Sequence, residues 1–178
     1  MKKMNTKKLT TLGVLAACSI VLVAFIHFPI FPAVSFLEYD PADIPILIGT
    51  FLFGPVWGFV LTVLVSVIQG MTVSAQSGVY GIIMHILATT TLTCVAGTIY
   101  RKNKTKKSAI IGLICGTVAM TAMMFCANLV VTPFFMGTTR EVVMSLMPFI
   151  LAFNAVKAGI NSVVTFIVYK RISAFLHR

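Results

Sequence analysis

The stretch IPILIGTFLFGPVWGFVLTVLVSVIQG, residues 44–70, carries no charged side chain and is punctuated by Gly54-Pro55. Read without that break, it is one long apolar span. Read with it, the stretch is two short helices, because glycine closes a helix and proline opens one. The choice decides between five spans and six, and the charges outside the apolar segments settle it. Those segments fall at about 9–28, 44–54, 56–70, 80–100, 108–130 and 144–169. Three basic clusters surround them: Lys2, Lys3, Lys7 and Lys8; Arg101, Lys102, Lys104, Lys106 and Lys107; and Lys170, Arg171 and Arg178. With six spans and an internal N-terminus, all three clusters fall on the cytoplasmic side, as the positive-inside rule requires. With five, the last two fall outside. The expectation is an all-α membrane protein, a six-helix bundle with both termini cytoplasmic and Gly54-Pro55 as a tight cytoplasmic turn.

Composition agrees. The chain of 178 residues is 58% hydrophobic and 10% charged, against about 25% charged in a soluble domain. Its mean hydropathy is +1.01. The clusters hold 12 of the 14 Lys and Arg, so the high isoelectric point reflects membrane topology and not nucleic-acid binding. Residues 1–178 read as a single domain, with no inverted repeat and no dividing linker. Leu15-Ala16-Ala17-Cys18 has the look of a lipoprotein cleavage box. The apolar run nevertheless continues to Phe25, so residues 9–28 read as a retained first helix. Cys18, Cys94, Cys115 and Cys126 lie in apolar runs without CxxC spacing and read as buried unpaired thiols.

The expected topology leaves external segments at 29–43, 71–79 and 131–143. The first holds Glu38, Asp40 and Asp43, three of the four acidic residues. In the last span Asn154, Lys157 and Asn161 stand at i, i+3 and i+7, on one helical face. A lysine there costs roughly 2.5–3.5 kcal/mol at the bilayer centre, so this face is expected to turn inward, toward a polar partner or cavity. Asn128, near the outer end of the fifth span, either bonds a neighbouring helix or lines the same cavity. Asp40-Pro41 reads as a helix cap with Asp43 in the first turn, or Asp43 itself is the cap. Glu38 remains as a ligand contact or a counter-charge for Lys157. Trp57, Tyr80 and Tyr100 read as interfacial belt residues. His27 and His85 have no ligand-spaced partners, which argues against a metal site. There is no GxxxxGK[ST] loop for ATP, and the few carboxylates assemble no acid–base pair for an intramembrane enzyme.

These residues together make the chain similar to the substrate-binding S components of energy-coupling factor transporters, most closely the riboflavin-specific ones. The resemblance rests on Glu38-Tyr39-Asp40-Pro41-Ala42-Asp43-Ile44-Pro45, Asn128 with Thr132-Pro133-Phe134, and Asn154-Ala155-Val156-Lys157. It implies that Glu38, Asn128, Asn154 and Lys157 bond riboflavin, with Leu37, Tyr39 and Phe134 as walls. Riboflavin is then a transported ligand and not a cofactor, and no cofactor is expected. The resemblance also implies a multi-pass protein of the bacterial cytoplasmic membrane. Its partners are a membrane coupling (T) protein and two cytoplasmic ATPase subunits that hydrolyse the ATP. Relatives dock through an Ala-x-x-x-Ala motif on the first helix. Here the nearest spacing is Gly13-x-x-x-Ala17, a departure from that motif. The alternatives are an S component for thiamine, folate or pantothenate, and a membrane-embedded enzyme.

Overall fold

The computed structural model describes residues 6–176; Lys2, Lys3 and Arg178 of the basic clusters lie outside them. Six α-helices follow one another: α1 (Thr6–Phe25), α2 (Asp43–Phe53), α3 (Pro55–Met71), α4 (Gly78–Asn103), α5 (Lys106–Met136) and α6 (Arg140–Leu176). Four of them, α1, α4, α5 and α6, are long and apolar enough to cross a membrane. The other two run 11 and 17 residues.

The break between α2 and α3 is the one expected. Gly54 takes φ +94° and its N–H donates to Thr50 O at 2.8 Å, while Pro55 occupies the first turn of α3. That φ with ψ 170° is a backbone region essentially reserved for glycine. Lys8 at the start of α1 lies over the Trp57 ring, 4.1 Å from its centroid. Gly54 and Trp57 share a surface hollow with Arg101 and Lys104. Lys8 from the start of α1 and Arg101 and Lys104 from the α4–α5 connection therefore gather at one end of the bundle. That connection turns through Lys104 in the left-handed region, and the Thr105 hydroxyl caps α5 by accepting from Ser108 N at 3.1 Å.

Helices α4 and α5 pack with their backbones close together at two glycines. A Cβ placed on Gly112 would stand 2.8 Å from Ala96 O, and one on Gly116 2.9 Å from Leu92 O. The interior nevertheless holds many polar groups, including Ser19, Thr62, Thr89, Asn128, Asn161 and Thr165, all fully buried. The outside is apolar, with Val14, Val21, Ile114, Val118, Val163 and Ile167 more than half exposed. Such an inverted distribution suits a hydrocarbon solvent.

Three expectations are corrected, and the first connection carries structure that no sequence pattern announced. The segment 131–143 is mostly helical: α5 continues through Pro133 to Met136, and α6 begins at Arg140. A membrane helix tolerates an internal proline when neighbouring groups take up the freed carbonyl. The first connection is ordered, with Phe28–Pro29 pairing antiparallel with Glu38–Tyr39 and Val34 packed on Val143, Met147 and Ile150 of α6. Tyr100 is buried against Phe51 and faces the Tyr169 hydroxyl at 3.0 Å, so it is a core residue and not a belt residue. Cys18, Cys115 and Cys126 are free but face the outside of the bundle.

Candidate ligand-binding site

The 3.6-residue period carries Asn154, Lys157 and Asn161 to the inner face of α6, where they are 3%, 7% and 0% exposed. Lys157 Nζ lies 2.7 Å from Asp40 Oδ2. The counter-charge is thus Asp40 and not Glu38. Asp40 also performs the turn role expected of it, since Oδ1 accepts from Ala42 N at 3.0 Å. One oxygen folds the loop locally while the other reaches across the bundle. Burial alone would push the Asp40 carboxyl up. The adjacent Lys157 ammonium outweighs this and holds it below the usual carboxylate range.

Asn161 locks the same loop one turn along. Its Nδ2 donates to Asp40 O at 3.1 Å and to Asp43 Oδ2 at 3.0 Å, and its Oδ1 accepts from the Tyr39 hydroxyl at 3.0 Å. Asp43 Oδ1 accepts from Thr89 of α4 at 2.6 Å. Both aspartates read as caps in the sequence therefore tie α2 to α4 and α6. Tyr39, expected as a cavity wall, is a clamp. Its hydroxyl is spent on Asn161, and its ring packs on Phe28 with centroids 5.4 Å apart.

Beside this network lies a cavity of about 130 Å³. Leu37 and Glu38 from the first connection line it, as do Asn154 and Lys157 from α6. Gln69 of α3, His85 of α4 and Met120 and Met124 of α5 complete much of its wall. Asn154 spends an amide N–H on Ile150 O at 2.8 Å. A smaller lobe of about 60 Å³ adjoins it, lined by Tyr80, Asn128, Thr132 and Phe135. The two share Phe36, Leu37, Ser77, Gly81 and Met84. Asn128 is fully buried, donating to Met124 O and accepting from the Thr132 hydroxyl, each at 2.8 Å. Larger hollows of about 550 and 640 Å³ are open grooves on the α5–α6 surface.

Phe134 does not join the site: it is 70% exposed. Because α5 remains helical here, residues 128, 131, 132 and 135 share the inner face and residue 134 turns outward. Phe135 occupies the place expected for it. Gln69 and His85 were not singled out by sequence reasoning as ligand contacts. The only signal was two polar side chains inside apolar spans. Gly13 and Ala17 are exposed on α1, on a face that flanks the buried stripe of Leu12, Ala16, Ser19 and Val23.

Comparison with known proteins agrees with this architecture. Residues 7–169 match the family model for the ECF transporter, substrate-specific component. Riboflavin transporter RibU of Staphylococcus aureus is 29% identical, over 99% of this chain and 97% of its own length. Riboflavin transporter FmnP of Bacillus subtilis is 25% identical, over 98% and 96%. A solved S component of a bacterial ECF transporter superposes with a TM-score of 0.85 at 31% identity, covering 98% of this chain and all of that one. ThiT from Listeria monocytogenes shares the fold, with a TM-score of 0.66 at 16% identity over 92% and 93% of the two chains. With nearly its whole length matched, the chain belongs to the family of substrate-specific components of ECF transporters.

Proposed function

We propose that this chain captures riboflavin from the external side of the bacterial cytoplasmic membrane for ATP-driven uptake, without chemistry on the ligand. The observation that carries the reading is the buried Asn154–Lys157 pair facing a cavity under the first connection. The names of the full-length relatives point to the same vitamin.

The chemistry fits. Asn154 offers donor and acceptor atoms to the imide edge of the isoalloxazine ring. Lys157 gives one N–H to Asp40 and has two more to donate. Glu38 accepts from hydroxyls, Leu37 supplies apolar wall, and Asn128 serves the smaller lobe. Tyr39 and Phe134 are left out of the contact set. The free volume is below the roughly 300–1,000 Å³ of ordinary ligand sites. The unbranched Met84, Met120 and Met124 side chains, or the first connection, therefore yield when a flavin enters.

In this reading all six helices belong to one membrane domain, with α2 as a half-length segment backed by protein. The end bearing Lys8, Arg101 and Lys104 is cytoplasmic, and the end bearing Glu38 and Glu141 is external. The chain termini are both cytoplasmic. The exposed Gly13/Ala17 face of α1 seats the membrane coupling protein, which carries two cytoplasmic ATPase subunits. Small residues permit the close backbone approach such docking needs.

Purified protein from a flavin-containing host is expected to be yellow and, once stripped, to quench riboflavin fluorescence on titration. Colourless protein that ignores riboflavin but binds thiamine, folate or pantothenate would overturn the ligand assignment.

A further inference from the structure

The cavity wall formed by α3 and α4 is not used by the assignments above. Gln69 is 8% exposed, and its Oε1 is buried without a hydrogen-bond partner among the described residues. Its Nε2 lies 3.5 Å from both Asp40 Oδ2 and Ser74 Oγ. Those contacts are long, but they decide the amide orientation, because the reverse would set Oε1 against a carboxylate. Oε1 is therefore the atom turned away from Asp40, in a residue that lines the cavity.

His85 repeats the pattern. Its Nδ1 is 2.7 Å from Ser66 Oγ, while Nε2 is buried without a hydrogen-bond partner, 3.8 Å from Asp43 Oδ1. The Ser66 hydroxyl has one proton and two acceptors, Thr62 O at 2.6 Å and His85 Nδ1. If the proton goes to Thr62, Nδ1 keeps a hydrogen and Nε2 is a bare acceptor. If it goes to Nδ1, Nε2 carries a hydrogen. In either tautomer Nε2 has no hydrogen-bond partner among the described residues. Two other such atoms among the described residues, on Thr90 and Thr165, belong to residues away from the cavity. Buried polar atoms are rarely left so, and here two of them meet in one wall.

We propose that Gln69 Oε1 and His85 Nε2 form the subsite that reads the hydroxyl groups of the ligand's sugar-alcohol chain. The flat ring then lies against the apolar wall of α5 and the Asn154–Lys157 face. A planar ring needs flat apolar contact, whereas a polyhydroxylated chain needs separated hydrogen-bonding atoms, and the α3–α4 wall supplies the second. This assignment rests on the flavin reading of the site.

The test compares riboflavin with lumiflavin, which has the same ring and a methyl group in place of the chain. Both are titrated by fluorescence quenching against the full-length protein and its Gln69→Met and His85→Leu variants. Each variant is expected to bind riboflavin about five- to tenfold more weakly, the worth of one neutral hydrogen bond. Lumiflavin affinity is expected to stay within about twofold. Unchanged riboflavin affinity in both variants overturns the subsite, as does an equal loss for both ligands. If the wild-type protein binds neither ligand, the flavin reading itself falls; if it binds both and the variants match it, only the subsite does.

Discussion

Lys157 is tolerated in the bundle because Asp40 meets it at 2.7 Å. Removing one partner of such a buried pair costs about 3–5 kcal/mol, since it strands the other charge. Asp40→Ala is therefore expected to destabilise the protein by about that amount in thermal unfolding. The double variant Asp40→Ala/Lys157→Met should lose less than the sum of the two single losses, whereas strict additivity would deny the coupling. The depressed Asp40 titration also has a sign. Its contribution to stability is complete above the unfolded-chain value of about 3.9 and is lost only as pH falls through the lower folded value. For the ligand, Asn154→Ala should weaken riboflavin binding roughly tenfold, with quenching titrations as the readout. The inward face of Asn154, Lys157 and Asn161 was legible from spacing alone. The partner of Lys157 was not. A loop acid followed by proline looks like a cap whether its second oxygen meets water or a lysine 117 positions away. Only the tertiary fold decides that, and here one carboxylate does both jobs.

The Gly54-Pro55 turn was legible at the scale of elements because both residue types restrict the backbone in ways that few contexts override. Gly54 at φ +94° leaves little room for a side chain's preferred geometry. Gly54→Ala is expected to lower unfolding stability by about 1–3 kcal/mol. An unchanged melting temperature would mean the turn is not held as described. The outer end of α5 was harder to read. Thr132-Pro133 has the appearance of a helix stop, yet the helix runs on to Met136. Proline is a weaker terminator where no water competes for the backbone. That one difference of register moved the expected wall residue from Phe134 to Phe135. The short pairing of Phe28–Pro29 with Glu38–Tyr39 was invisible as well, because two-residue strands carry no alternation to detect.

As a whole molecule, the chain is apolar without and polar within, and Asp40, Ser66, Gln69, Thr89, Asn154 and Lys157 among its buried polar residues line one small cavity. Membership of the substrate-specific component family makes it a binding subunit and not an enzyme. The first connection is both the lid of the cavity and, through Asp40, a partner of Lys157. Ligand binding should therefore slow amide hydrogen exchange across residues 26–42 more than at the α4–α5 connection; equal exchange at both, with and without riboflavin, would separate the loop from the site. The claim on which the account turns is where the vitamin sits. An experimental structure of the protein with riboflavin bound measures this directly. The account predicts the flavin beneath the first connection, with polar atoms of Asn154 and Lys157 within about 3.2 Å of it. A flavin lodged in the outer α5–α6 grooves, or one in the cavity untouched by either side chain, would contradict it.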